Sequence, residues 1–252
     1  MTGHEYLSEV LRSQEMRSQD LDRVRSIRDG LFQLLSRDFG GTPRIYYGGS
    51  YGKHTMVREA FDLDIVVYFP PTERRSLADL FGAVHRSLVN AGFTVHPQTV
   101  ALRLPGAGGF HVDVVPGRAQ DDGFRYATLY KKTQPPSTLQ TSLKVHIDAV
   151  RKTGLGPIVR VLKLWRIRHA VPLKTFALEL LAARALNGTQ KDDLAAAVMG
   201  VLQFTSVHME RIRLEDPANT NNVLEVTMRD RAVAAQIATN CLAKEYWKDI
   251  VW

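Results

Sequence analysis

Three aspartates stand where a core-building strand would carry apolar side chains. Asp62 and Asp64 lie two apart in Phe61-Asp62-Leu63-Asp64-Ile65-Val66-Val67-Tyr68-Phe69, and residues two apart on a strand project from one face. Asp113 interrupts a second apolar stretch, Phe110-His111-Val112-Asp113-Val114-Val115. If the two strands are neighbours, the three carboxylates converge at one sheet edge. Like charges that close raise one another's pKa unless a cation neutralises them. Oxygen-only ligands select a hard cation, Mg²⁺ or Mn²⁺ in its place. Two such ions about 3.5–4 Å apart can clamp the attacking and leaving oxygens of an in-line phosphoryl displacement. A single acid in a strand also reads as a solvent-facing residue on an edge. The Asp-Leu-Asp pair, with a glycine turn before it, favours the metal reading.

That turn is Gly48-Gly49-Ser50-Tyr51-Gly52. Glycine lets the backbone approach an anion, and exposed N–H groups with a serine hydroxyl donate to phosphate oxygens. Gly49 and Ser50 are therefore candidate phosphate contacts. His111, two residues before Asp113, points to the same side of its strand, as a supporting or structural group.

The elements that must position these residues follow from periodicity. Leu21, Val24, Ile27, Leu31, Leu34 and Leu35 recur at helical spacing, which predicts a helix over 5–38 that stops at Gly40-Gly41-Thr42-Pro43. Arg44 to Tyr47 is a short strand. In the strand from Phe61 to Phe69, positions 61, 63, 65, 67 and 69 face a core, and Pro70-Pro71 ends it. A helix over 76–91 follows, then strands at 93–104 and 110–115 joined by a turn at Gly106 to Gly109. From about residue 137 the pattern turns helical, with helices expected at 137–152, 156–169, 175–186, 191–207 and 228–251. Loops are expected at 187–190 and 215–222. These readings predict an α+β half, residues 1–135, and a helical half, residues 136–252, with the active site in the cleft between them.

The 252 residues carry 33 Lys and Arg against 26 Asp and Glu, a formal net charge of +7. Polyanions, nucleic acid or nucleotide phosphates, lead the classes of partner. A lone cysteine, Cys241, excludes a disulfide framework and a multi-cysteine zinc site. Apolar runs fall far short of the ~20 residues that span a bilayer, and the polar N-terminus carries no signal-peptide core. The expectation is a cytoplasmic protein with no membrane partner. Lys131, Lys132, Lys144, His146, Arg151 and Lys152 form a basic cluster that reads equally as an acceptor groove and as a solvated helix face.

The motifs together resemble the DNA polymerase β-type nucleotidyltransferase superfamily. Within it, they are similar to the oligoadenylate synthetase and cyclic-oligonucleotide synthase (CD-NTase) branch, including bacterial enzymes of antiphage signalling. The resemblance runs through Gly48 to Thr55, Asp62-Leu63-Asp64 and Val112 to Pro116. It continues through Val159 to Trp165, Thr175 to Leu181, Asp216-Pro217 with Asn221-Asn222, and Trp247 to Trp252. It implies a polymerase-like palm with a helical lobe. Asp62, Asp64 and Asp113 would be the catalytic residues and the Mg²⁺ ligands, and Gly49 and Ser50 would hold triphosphate. Lys163 and Thr175 would contact the triphosphate tail and Phe176 the base, although Phe176 at helical spacing from Leu180 also reads as core.

The resemblance implies template-independent joining of nucleoside triphosphates, ATP foremost, into a cyclic or linear signalling oligonucleotide. Pyrophosphate would be released, and a partner effector protein would read the product. Two other readings stay open: nucleotide addition to an RNA or DNA end or other macromolecule, and a silent basic nucleic-acid-binding protein on the same fold.

Overall fold

The computed structural model describes residues 1–132 and 137–252. In chain order the first half holds α1 (Gly3–Ser13), α2 (Ser18–Asp38), β1 (Arg44–Tyr47), α3 (Gly49–Lys53), β2 (Leu63–Phe69) and α4 (Leu77–Asn90). There follow β3 (His96–Pro97), β4 (Leu102–Pro105), β5 (His111–Ala119), β6 (Ala127–Tyr130) and β7 (Thr138–Thr141). The remainder is α5 (Leu143–Arg151), α6 (Gly156–Arg168), α7 (Thr175–Ala185), α8 (Leu194–His208), β8 (Glu215–Asp216), β9 (Asn219–Val223) and α9 (Met228–Leu242).

The chain forms two compact units. One comprises residues 16–54 and 60–147, the other residues 1–15, 55–59 and 148–252. The boundary expected at 135 and 136 falls outside the described residues. The division is not one cut in the chain, because 1–15 and 55–59 group with the later helices.

The first unit is built on a mixed sheet. Its strand order is β1-β2-β5-β4-β3, with β6 pairing β5 and β7 pairing β6. β2 and β5 run parallel, and the other pairs are antiparallel. Strand alternation sorts β2 into two faces. Leu63, Ile65, Val67 and Phe69 pack with Val24, Leu31 and Leu35 of α2 and Leu80, Val84 and Leu88 of α4. Burying each such side chain stabilises the fold by roughly 1.5–3 kcal/mol. Asp64 shares the opposite face with Val66 and Tyr68, and those two pack against Ala127 and Leu129 of β6.

The second unit is helical. Trp165 is buried among Leu7, Leu162, Leu178, Val198 and Ala238 in one apolar core, and its indole N–H donates to the Sγ of buried Cys241 at 3.4 Å. A capping box at Thr2 and Glu5 starts α1, and Asp193 starts α8 by accepting from the N–H groups of Ala195 and Ala196.

Several expected elements differ from the structure, among them the strand expected at 93–104, which is the two short strands β3 and β4. The helix over 5–38 is two helices, α1 and α2. At the break, the Gln14 backbone carbonyl accepts from Arg58 N–H at 3.1 Å and its side-chain oxygen from Glu59 N–H at 2.9 Å. The helix expected from 137 begins at Leu143, since 138–141 extend the sheet beside β6. Ser142 Oγ marks the change, accepting from Val145 N–H at 3.3 Å. The last helix ends at Leu242, followed by a single 3₁₀ turn at Trp247–Asp249, and the loop expected at 215–222 contains the β8–β9 hairpin.

Candidate active site

Sheet register assembles the acidic cluster. In the parallel β2–β5 pair Asp64 lies directly opposite Asp113. In the antiparallel β4–β5 pair Arg103 lies opposite Asp113. Residues opposite one another on adjacent strands share a face, so Asp64, Asp113 and Arg103 form a row across three strands. Asp62 precedes β2 by one residue, and its side chain is 48% exposed.

Burial separates the carboxylates. Asp64 is pushed up to about 6, first by desolvation and then by the negative charges of Asp113 and Asp62, with Lys53 and His111 opposing. Asp113, 15% exposed, has both oxygens engaged by one guanidinium. Arg103 Nε donates to Oδ1 at 2.9 Å and Nη2 to Oδ2 at 2.8 Å. That planar fork is the strong, bidentate form of the arginine–carboxylate pair. The Arg103 pKa is raised chiefly by this bond, with smaller contributions from Asp62 and Asp64. His111 spans the other gap, with Nδ1 2.8 Å from Asp62 Oδ1 and Nε2 3.6 Å from Asp113 Oδ2.

The glycine turn abuts Asp64. Gly48 N–H donates to the Asp64 carbonyl at 2.8 Å. Gly49 opens α3 at φ +47°, and a Cβ there would collide with the Asp64 carboxylate. Only glycine lets backbone and carboxylate come this close. Ser50 is half-buried in the first turn of α3, and Lys53, at its end, is buried with its charge felt by Asp64.

The donor set suits a hard divalent cation in chemistry and in strand register. The side chains as they stand do not complete such a site. Among the described residues no group of three or more His, Cys, Asp or Glu is arranged to hold a metal ion. Both oxygens of the third carboxylate, Asp113, are engaged by Arg103.

The other candidates lie in the helical unit. Lys163, on α6, is 6% exposed and donates from Nζ to the Thr55 carbonyl at 2.8 Å. It is thus a buried cation rather than a solvated one. Thr175 and Phe176 open α7, both half-buried, with Phe176 packed against the helical core. Asp216 shapes the β8–β9 turn, accepting from Ala218 N–H at 2.7 Å.

No family model matches the chain. A curated relative, the CBASS oligonucleotide cyclase CdnC of Escherichia coli, is 26% identical over 177 residues. The match takes in 64% of this chain and 56% of the relative's length. CdnC of E. coli MS115-1, solved with ATP, superposes with a TM-score of 0.75 at 20% identity, over 95% of this chain and 90% of that one. The CD-NTase CdnG of Bradyrhizobium diazoefficiens, solved in complex with GTP, gives 0.73 at 14% identity over 94% and 89%.

The fold is that of the bacterial CD-NTases.

CdnC has also been solved in complex with HORMA-deltaN. The α+β architecture expected from the motifs is the CD-NTase architecture, and the sequence match to CdnC bears out the resemblance. A cytoplasmic RNA terminal U-transferase also superposes on this chain, at a TM-score of 0.72 with 11% identity over 97% of this chain and 94% of that one. No helix among the described residues is long and apolar enough to cross a membrane.

Two charged members of the cluster were not among the expected site residues. Lys53 lies inside the Gly48–Thr55 motif but has no role assigned by its type alone. Arg103 sits in Leu102-Arg103-Leu104, a charge in an apolar strand like the aspartates, and the register of the β4–β5 hairpin is the signal that would have found it.

Proposed function

We propose that this chain is a nucleotidyltransferase that joins nucleoside triphosphates without a template, releases pyrophosphate, and makes a signalling oligonucleotide for antiphage defence. The observation that carries this reading is the in-register Asp64–Asp113 pair beside the Gly49 backbone, set in a CD-NTase fold. The name of CdnC as a CBASS oligonucleotide cyclase supports it, as do the ATP and GTP in the CdnC and CdnG structures. The chain spans little more than half the length of the curated relative, so substrate and product are part of the proposal.

In this reading Asp62, Asp64 and Asp113 hold Mg²⁺, or Mn²⁺ in its place. The bound cation supplies neutralisation of the triphosphate and of the attacking hydroxyl's developing charge. Gly49 and Ser50 donate to phosphate oxygens, which orients the triphosphate. Lys163 and Thr175 serve the triphosphate tail, and Phe176 offers a face to the base. A partner protein that reads the product or controls the enzyme completes the assignment. Catalysis is then positioning and electrostatics rather than covalent chemistry on the protein.

The test is incubation with the four ribonucleoside triphosphates and Mg²⁺ or Mn²⁺, with products identified by mass spectrometry. Oligonucleotide and pyrophosphate are expected, and Asp62→Ala or Asp64→Ala should abolish both in a folded protein. Undiminished turnover in either variant would remove the metal assignment. The likeness to a terminal U-transferase favours a second reading, nucleotide addition to an RNA end. Product formed only when an RNA acceptor is supplied would select it.

A further inference from the structure

The carboxylate that should complete a divalent site is held, through both oxygens, by an arginine from the neighbouring strand. Arg103 reaches Asp113 at 2.9 and 2.8 Å from β4, opposite it in register. The pair is placed by the backbone, since a β4–β5 register one residue away would turn Arg103 to the other face.

The electrostatics explain why an arginine is there. Three carboxylates lie close enough for Asp113 and Asp62 both to act on Asp64. Within the chain, groups on β4 and β5 meet that cluster. Arg103 meets Asp113 as a fork, and His111 lies between Asp62 and Asp113. Arg103 is also free to leave. Its side chain is 39% exposed, so its guanidinium already borders solvent and can be rehydrated by a rotation of its own side chain. Asp113, at 15%, is not.

We propose that Arg103 is a displaceable counter-cation, so that its ion pair with Asp113 and metal ligation by Asp113 exclude one another. A divalent ion bound through Asp113 would compete with the guanidinium for oxygens that are both already engaged, with two positive charges only a few ångströms apart. One of the two must yield. Arg103 then has two effects: it stabilises the protein without metal, and it sets a threshold of metal, or metal with triphosphate, that the site requires before it assembles. Arg103 is a positioning residue in this account, acting through Asp113. The inference rests on the reading of the three aspartates as metal ligands.

Mn²⁺ binding, followed by the electron paramagnetic resonance of the free ion, separates the two claims. Asp64→Asn tests the ligands: it should lose the Mn²⁺ that the unaltered protein binds, and equal binding by both would overturn the metal reading itself. Arg103→Met, which keeps the stem and removes the charge, tests the gate. It should bind Mn²⁺ about tenfold more tightly than the unaltered protein, at the low end of what one adjacent charge does to a carboxylate's proton affinity. Its thermal midpoint in chelator should fall, and Mn²⁺ should raise it by more than it raises the unaltered protein's.

Arg103→Lys, a point charge without the fork, should fall between the two and serves if Arg103→Met does not fold. Mn²⁺ affinity that is unchanged or weakened in the folded Arg103 variants, with the Asp64→Asn loss intact, overturns the proposal. Arg103 would then orient Asp113 as a permanent partner.

Discussion

Gly49 does the most with the least at the residue scale. Its φ of +47° and its contact with the Asp64 carboxylate both exclude a side chain, so two physical constraints meet at one position. Alanine there costs about 1–2 kcal/mol of backbone strain and displaces the carboxylate besides. The expected result for Gly49→Ala is a turnover roughly 100-fold lower, the scale of a 1 Å misplacement, with the far-ultraviolet circular dichroism spectrum retained. Turnover within a few-fold of the unaltered protein would show that the contact does not position Asp64. The three aspartates were legible because an acid inside an apolar strand is conspicuous. Arg103 was not, for a matter of one residue. A turn counted as Gly106–Gly109 places Arg103 opposite Val112. In the structure the connection takes in Phe110, whose carbonyl accepts from Gly106 N–H at 2.7 Å, and Arg103 meets Asp113.

Local rules at the element scale held where a segment's own caps and periodicity agree. α4 begins one residue after Ser76, whose hydroxyl accepts from Asp79 N–H, and α8 follows Asp193. Asp193 accepts from two backbone N–H groups, at 2.9 and 3.1 Å. Asp193→Ala should therefore cost about 1 kcal/mol of stability, measured by urea unfolding, and a change below 0.3 kcal/mol would show the cap to be idle. The rules failed where a distant segment competes. Residues 14–17 carry no helix breaker, and the helix parts there because Gln14 serves Arg58 and Glu59. Residues 138–141 carry a periodicity consistent with helix, yet the free edge of β6 takes them as a strand.

At the scale of the whole molecule, the chain order and the units differ. Residues 55–59 interrupt the sequence of the sheet unit and group with the helices, as α1 does. Lys163 is part of that arrangement, its ammonium donating to the Thr55 carbonyl from a buried position on α6. Lys163→Met leaves that carbonyl without its donor, and the expected loss is about 1–3 kcal/mol in unfolding free energy. A stability equal to the unaltered protein's would show that the bond to the Thr55 carbonyl does not hold the fold. The net charge of +7 agrees with a polyanionic substrate, though within the site the Arg103 guanidinium is engaged by the Asp113 carboxylate.

The sequence by itself determined the chemistry on offer: an all-oxygen donor set, a glycine turn to meet an anion, and strands whose alternation puts Asp62 and Asp64 on one face. Residue type and a period of two suffice for that. Only the tertiary structure decided which groups meet. Strand neighbours, a hairpin register and the return of residues 55–59 to the helices bring together side chains far apart in the chain. No local propensity encodes such a pairing; it follows from which faces the sheet and the helices must bury.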